Sequence, residues 1–157
     1  KLKNSIPNLQ FSSDFIIGYP GETEEDFEKT LDIMNKIKFI NSYSFIFSAR
    51  PGTPSSNLKQ IDNDIAKKRL MIFQNTSNKI KTEYREKLLT KITPVLFENK
   101  TKEKNKYFGR DKCFNSVIVE SNEDLIGKIK NIKITKVSQN TLFGEISSRL
   151  IQKELAS

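Results

Sequence analysis

Two short loops in this 157-residue sequence carry the residue types from which a ligand site is made. Gly18-Tyr19-Pro20-Gly21-Glu22 follows one apolar run, and Arg50-Pro51-Gly52-Thr53-Pro54 follows another. Glycines at 18 and 21 let backbone groups approach a bound molecule, and the Glu22 carboxylate can accept hydrogen bonds from an amino or hydroxyl group. Arg50 offers a planar fork for a carboxylate or phosphate, stiffened by the two prolines beside it. Either loop alone also reads as a tight turn or a rigid connection; two of them at adjacent strand ends point to a site. Residues 100–112 suggest different chemistry, with six basic and two acidic residues around Tyr107 and Phe108. Basic side chains neutralise phosphates and aromatic rings stack on unpaired bases, the combination that single-stranded RNA needs. A solvated hairpin tip with its aromatic pair turned inward is the alternative for that segment.

What the chain lacks narrows the chemistry further. It has no His and one Cys, Cys113. Imidazole general bases, His-based triads, Cys-rich metal sites and an intramolecular disulfide are therefore excluded, and a reduced, cytoplasmic setting is expected. No apolar run approaches the roughly 18 residues of a membrane helix, and the first seven residues lack the apolar core of a signal peptide. The net charge of +8 favours phosphate-bearing partners, although 22 of the 27 basic residues are Lys, as an AT-rich genome would supply. With 36% hydrophobic residues, including 11 Phe, the chain has enough apolar material to fold.

These loops need elements to hold them. Residues 11–19, with Phe15, Ile16 and Ile17, read as a strand buried on both faces, of the parallel-sheet type. Thr23 then caps a helix whose first turn carries Glu24, Glu25 and Asp26, and Phe27, Leu31, Met34 and Ile37 give it an apolar face. Residues 43–49 read as a second buried strand, completing a right-handed βαβ unit. A long helix is expected from Asp62 to about Leu89, with Ile65, Arg69, Leu70, Phe73, Ile80 and Tyr84 at helical spacing. It breaks over residues 90–93, ahead of Pro94. Beyond lie short β-branched segments at 95–98, 116–120, 128–137 and 141–149, the pattern of a small all-β barrel. Beyond residue 88 there are 13 basic and 8 acidic residues, so the basic weight falls on this module.

Asp14-Phe15-Ile16-Ile17-Gly18-Tyr19-Pro20-Gly21-Glu22-Thr23-Glu24-Glu25-Asp26-Phe27 resembles a strand–loop–helix segment of the radical-SAM methylthiotransferases. Ser44-Phe45-Ile46-Phe47-Ser48-Ala49-Arg50-Pro51-Gly52-Thr53-Pro54 resembles the strand that follows it. The Arg-Pro-Gly-Thr-Pro form is similar to the MiaB-type tRNA branch, which places a methylthio group on isopentenyladenosine next to the anticodon. Val95-Leu96-Phe97-Glu98, Gly109-Arg110, Asn115, Leu125-Ile126-Gly127, Ile134-Thr135 and Leu142-Phe143-Gly144 resemble a TRAM domain in order and spacing. The resemblance runs from about residue 10 to 147.

It implies an α/β fold over residues 1–88, the C-terminal segment of a partial TIM-like radical SAM barrel with a long linking helix. A small all-β TRAM barrel over 89–151 and a tail over 152–157 follow. In the intact enzyme the cofactors would be S-adenosylmethionine and two 4Fe-4S clusters. The Cys-x-x-x-Cys-x-x-Cys loop is absent here, so the chain is expected to bind no cluster, to carry no catalytic residue and to be inactive alone; the missing initiator Met fits a truncated chain. Gly18, Pro20, Gly21, Glu22, Arg50, Gly52 and Thr53 would line the S-adenosylmethionine side. Lys100, Lys102, Lys104, Lys106, Arg110 and Asn115 would grip the tRNA anticodon stem-loop. The other partner would be the N-terminal part of the same enzyme, with no membrane involved. Asp111 stands where Thr is usual in TRAM, and Ser116 where a basic residue is common. A stand-alone RNA-binding module and a methylthiotransferase of the threonylcarbamoyladenosine branch remain alternatives.

Overall fold

The computed structural model describes residues 2–6 and 8–148, in two compact units, Lys1–Thr82 and Glu83–Ser157. The expected tail at 152–157, and the last three residues of the expected β module, lie outside the described residues.

The first unit runs α1 (Leu2–Ser5), β1 (Ser12–Ile17), α2 (Glu24–Ile37), β2 (Asn41–Ile46), a 3-10 turn (Pro54–Asn57) and α3 (Asn63–Glu86), whose last residues belong to the second unit. β1 and β2 pair in parallel, from Ser12 opposite Asn41 to Ile17 opposite Ile46, with α2 as the crossover that a parallel pair requires. Thr23 starts α2 with a capping box: the Asp26 N–H donates to Thr23 Oγ1 at 3.2 Å, and the Thr23 N–H donates to Asp26 Oδ2 at 3.1 Å. Lys38 ends the helix in the left-handed conformation. Ile17, Phe27, Met34, Phe73 and Ile80 form the core, with Phe15 and Leu31 packed against it.

Neither strand is buried on both faces, which corrects the expectation. Phe15 and Ile17 face residues of α2 and α3, but Ile16, Tyr43 and Phe45 on the opposite face are 60%, 69% and 59% exposed. Both helices cover one side of the pair, and among the described residues no helix of the unit covers the other. A continuous apolar run signals that both faces seek cover; it does not say which the chain itself supplies.

In the second unit, β3 (Ile92–Lys100), β4 (Lys106–Asp111), β5 (Ser116–Glu120), β6 (Ile129–Val137) and β7 (Leu142–Ile146) close a barrel in the order β3-β4-β5-β7-β6. All neighbours are antiparallel except β5 and β7. Val95, Phe97, Tyr107, Val117, Val119, Leu125, Ile132, Ile134 and Leu142 fill it. Strand bounds differ from the sequence reading at several places, among them β7, read at 141–149 and observed over Leu142–Ile146. β4 lies within the segment read as a loop, because Tyr107, Gly109 and Asp111 turn inward while Lys106, Phe108 and Arg110 turn outward. β3 starts ahead of Pro94, which sits opposite Asn131 of β6 in the stretch paired on that side alone, where a missing N–H is tolerated. Gly109 is required by close approach: a Cβ there would lie 2.4 Å from the Leu96 carbonyl oxygen.

Candidate functional site

The loop after β1 is locked from three sides. The Gly18 N–H donates to Glu22 Oε2 at 3.0 Å, and the Glu22 N–H closes a turn on the Tyr19 carbonyl at 2.9 Å. From α3, Arg69 Nη1 donates to Glu22 Oε2 at 2.8 Å and to the Glu22 carbonyl at 3.1 Å. Its Nη2 reaches Glu24 Oε2 at 2.9 Å. The guanidinium lies 5.5 Å from the centre of the Phe27 ring, and the side chain is only 8% exposed. Burial pulls its pKa down, but the hydrogen bonds to Glu24 and Glu22 outweigh that and leave it raised. Gly18 has φ +76°, and a Cβ there would come within 2.9 Å of the Ala66 methyl, so α3 also shapes the loop by contact.

Among the residues expected at this loop, Gly18 and Pro20 are buried, Gly21 is at the surface, and the Glu22 carboxylate is committed to Gly18 and Arg69. Sequence reasoning placed Arg69 only in the helical pattern. Its signal was position: it sits between Ala66 and Phe73, at steps of three and four along the buried face, where an unpaired Arg would be untenable.

The loop after β2 is built on Thr53. Its N–H and hydroxyl both donate to the Arg50 carbonyl, at 3.2 and 2.8 Å. The Arg50 side chain stays exposed beside an open cavity of about 560 Å³, lined by Ile16, Phe45, Phe47, Thr53 and Ser55 among others. Tyr19 meets Phe47 edge-on, with ring centroids 5.1 Å apart, tying the first loop to the cavity wall. Arg50 and Thr53 are thus brought together at the cavity, while Gly21 and Gly52 have open space where a Cβ would stand. One cation, the hydroxyls of Ser48, Thr53 and Ser55, and an apolar wall suit a small molecule with a flat apolar part and an anionic group. Among the described residues no three His, Cys, Asp or Glu side chains gather as a metal set. An iron–sulfur cluster needs several thiolates, and Cys113 alone does not fit one.

In the barrel, the expected cations fall along β3, β4 and the connection between them. Lys100 lies 5.5 Å from the Tyr107 ring centre, and Lys102 and Lys104 are exposed in the connection. Lys106 pairs with Glu103, and that hydrogen bond raises its pKa. Arg110 sits 5.4 Å from the Phe108 ring centre and 3.3 Å from Glu98. Asn115 does not join them. It is 2% exposed, and its amide donates to Asp111 Oδ2 at 2.9 Å, so its place is inside the β4–β5 turn rather than on the surface. Asp111 Oδ1 accepts from the N–H groups of Cys113 and Asn115, at 2.8 and 2.9 Å. Arg85 reaches Asn115 Oδ1 at 3.4 Å and donates to the Gln139 carbonyl. Burial pulls the Arg85 pKa down, and Asp111 opposes that. Burial, then the hydrogen bond with Cys113, pushes the Tyr84 phenol up.

This barrel, with a connection rich in lysine and a turn closed by an internal carboxylate, spans the stretch matched by a known family: residues 87–147 match the TRAM domain. The second unit is a TRAM domain. The resemblance drawn from the sequence is borne out over nearly the whole chain. It is 48% identical over 149 residues to a tRNA-2-methylthio-N(6)-dimethylallyladenosine synthase of Pelagibacter ubique (strain HTCC1062), covering 94% of this chain and 33% of that protein. Proteins of the same name from Vesicomyosocius okutanii and Acetivibrio thermocellus are 40% and 39% identical over 96% and 93% of the chain, which covers 34% and 31% of them. The chain therefore spans about a third of the length of these curated relatives. Asp111, which the sequence reading set apart from the TRAM pattern, accepts three hydrogen bonds through its carboxylate in this turn.

Proposed function

We propose that this chain is the C-terminal part of a radical SAM methylthiotransferase that modifies C2 of N6-isopentenyladenosine next to the tRNA anticodon. In this reading the βαβ unit supplies the last strands of a partial TIM-like barrel and the TRAM barrel binds the tRNA. The observation that carries it is the pairing of two ordered loops at the carboxyl ends of parallel strands, where α/β folds bind ligands, with a TRAM domain in the same chain. The names of the relatives support the substrate.

Arg50 and Thr53 would face S-adenosylmethionine, with the backbones of Gly21 and Gly52 beside them and Gly18, Pro20 and Glu22 shaping the loop. Bound there, S-adenosylmethionine supplies a methyl group or, once reduced, a radical. The 4Fe-4S clusters belong to the remainder of the enzyme, so this chain alone is inactive. Its N-terminal partner would cover the open face formed by Ile16, Tyr43 and Phe45. Lys100, Lys102, Lys104, Lys106 and Arg110 would meet phosphates of the anticodon stem-loop, and Asn115 would act from within by holding the turn. The setting is the cytoplasm, where tRNA is modified; among the described residues no helix is long and apolar enough to cross a membrane.

Binding of an anticodon stem-loop RNA across a salt series tests this. Phosphate contacts make log K fall linearly with log salt, by roughly 0.7–0.9 per contact. Replacing Lys102, Lys104 and Lys106 by Ala is expected to flatten the slope by about two contacts, Lys106 contributing least because Glu103 already holds it. An unchanged slope removes this segment from the interface, and a wild-type chain that binds no stem-loop overturns the reading.

A further inference from the structure

Phe114 sits in the turn between β4 and β5 at a double cost. At 73% exposure it is the most exposed large apolar side chain among the described residues. Its backbone has φ 60°, the left-handed region where Gly or Asn is at ease and an aromatic residue is not. The turn nevertheless holds it firmly. The Phe114 N–H donates to the Asp111 carbonyl at 3.0 Å, and the Asp111 carboxylate takes the N–H groups on either side. Behind it, the buried Asn115 amide donates to that carboxylate, and Arg85 in turn donates to the Asn115 side-chain oxygen. A hydrogen-bonded base thus projects an unburied ring, and strain kept where the surroundings over-determine it is a mark of function.

We propose that Phe114 is a stacking platform for an unpaired base of bound RNA; this rests on the RNA-binding reading above. The surroundings favour a nucleic acid over a protein. The turn's other exposed side chain is Lys112, and Arg110, paired with Glu98, is exposed near the end of β4, so cations able to meet phosphate flank the ring in the chain. A flat ring gives a base its stacking face while nearby cations fix the backbone. This places the base contact at the β4–β5 turn, whereas the lysine-rich connection is at the opposite end of β4.

The test compares the full chain with Phe114→Gly and Phe114→Trp, against a fluorescein-labelled RNA hairpin with an unpaired purine loop and a blunt duplex of the same stem. Gly suits the left-handed backbone, so the urea midpoint of Phe114→Gly stays level or rises and folding does not confound the result. Hairpin affinity is expected to fall about ten-fold or more, with the same slope against salt because no charge is lost, and with duplex affinity unchanged. Trp restores hairpin binding, and its fluorescence, unique in a chain without Trp, is quenched on binding. Equal hairpin affinity for wild type and Phe114→Gly overturns the platform and leaves the RNA reading standing. Equal losses for hairpin and duplex also overturn it. A wild-type chain that binds neither RNA overturns both. Unchanged RNA binding with an altered association state in light scattering assigns the ring to a protein contact instead.

Discussion

The βαβ unit leaves Ile16, Tyr43 and Phe45 on one exposed sheet face, whereas the TRAM barrel closes all five strands on one another around a core of Val95, Phe97, Val117, Val119, Ile132, Ile134 and Leu142, with Leu96 and Ile129 on its outside. The first arrangement needs something else to cover it, since contiguous exposed apolar surface marks an interaction site. The second is complete, because closure removes the strand edges that would otherwise seek partners. Their interiors differ in the same sense. Arg69 in the first unit holds a loop with open space beside Gly21, while Arg85 in the second reaches Asn115 in a turn whose polar groups satisfy one another.

If closure makes the barrel unforgiving, Gly109→Val is the most damaging change. Its Cβ would meet the Leu96 carbonyl at 2.4 Å and the Val95 side chain at 2.8 Å, and overpacking of a core without slack is expected to cost about 3 kcal/mol. Amide exchange followed by NMR should show protection lost from β3, β4 and β5 and retained in β1 and α2. Uniform loss would mean that the two units do not unfold separately.

Arg69→Met is the counterpart in the open unit. It strands a largely buried Glu22 carboxylate and is expected to cost about 2–3 kcal/mol, less than for a fully buried pair because Glu24 is exposed. Urea unfolding read at β1 and α2 should move to lower concentration while the barrel transition stays, and adding Glu22→Gln should recover part of the loss. No recovery would show that the pair is not the source.

The smallest expected effect is at the start of α2. Hydrogen bonds from the Thr23 side chain and then its backbone hold Asp26 below its ordinary 3.8. A carboxylate depressed by folding stabilises the folded state above its unfolded pKa and loses that contribution as pH falls through the folded value. The cap should therefore be fully present at neutral pH and fade only on acidification below 3.8. A carbon-detected NMR titration placing the Asp26 midpoint above 3.8 would remove the capping box from solution.

Much of this was legible locally. Thr23 followed by three acids marks the start of α2 because capping is chemistry among neighbours. The β-branched run Val117-Ile118-Val119 between Ser116 and Glu120 marks β5, and its bounds at residues 116 and 120 match the reading. β4 was hidden because Lys106 and Arg110 face outward beside a lysine-rich connection, so charge masked the inward alternation of Tyr107 and Gly109. Asn115 has a residue type suited to RNA contact, yet its amide is spent on Asp111.

The sequence by itself determined the two modules, the parallel pairing of the first, the places of the strand-end loops and the kinship of the chain, since each follows from the order and spacing of residues near one another. Only the tertiary structure decided that Glu22 is held by Arg69, 47 residues away, that one face of the sheet stays open, and that Phe114 is held outward by a buried carboxylate. Those outcomes depend on which side chains meet across long separations, where burial and pairing of charge select a partner that no local pattern names.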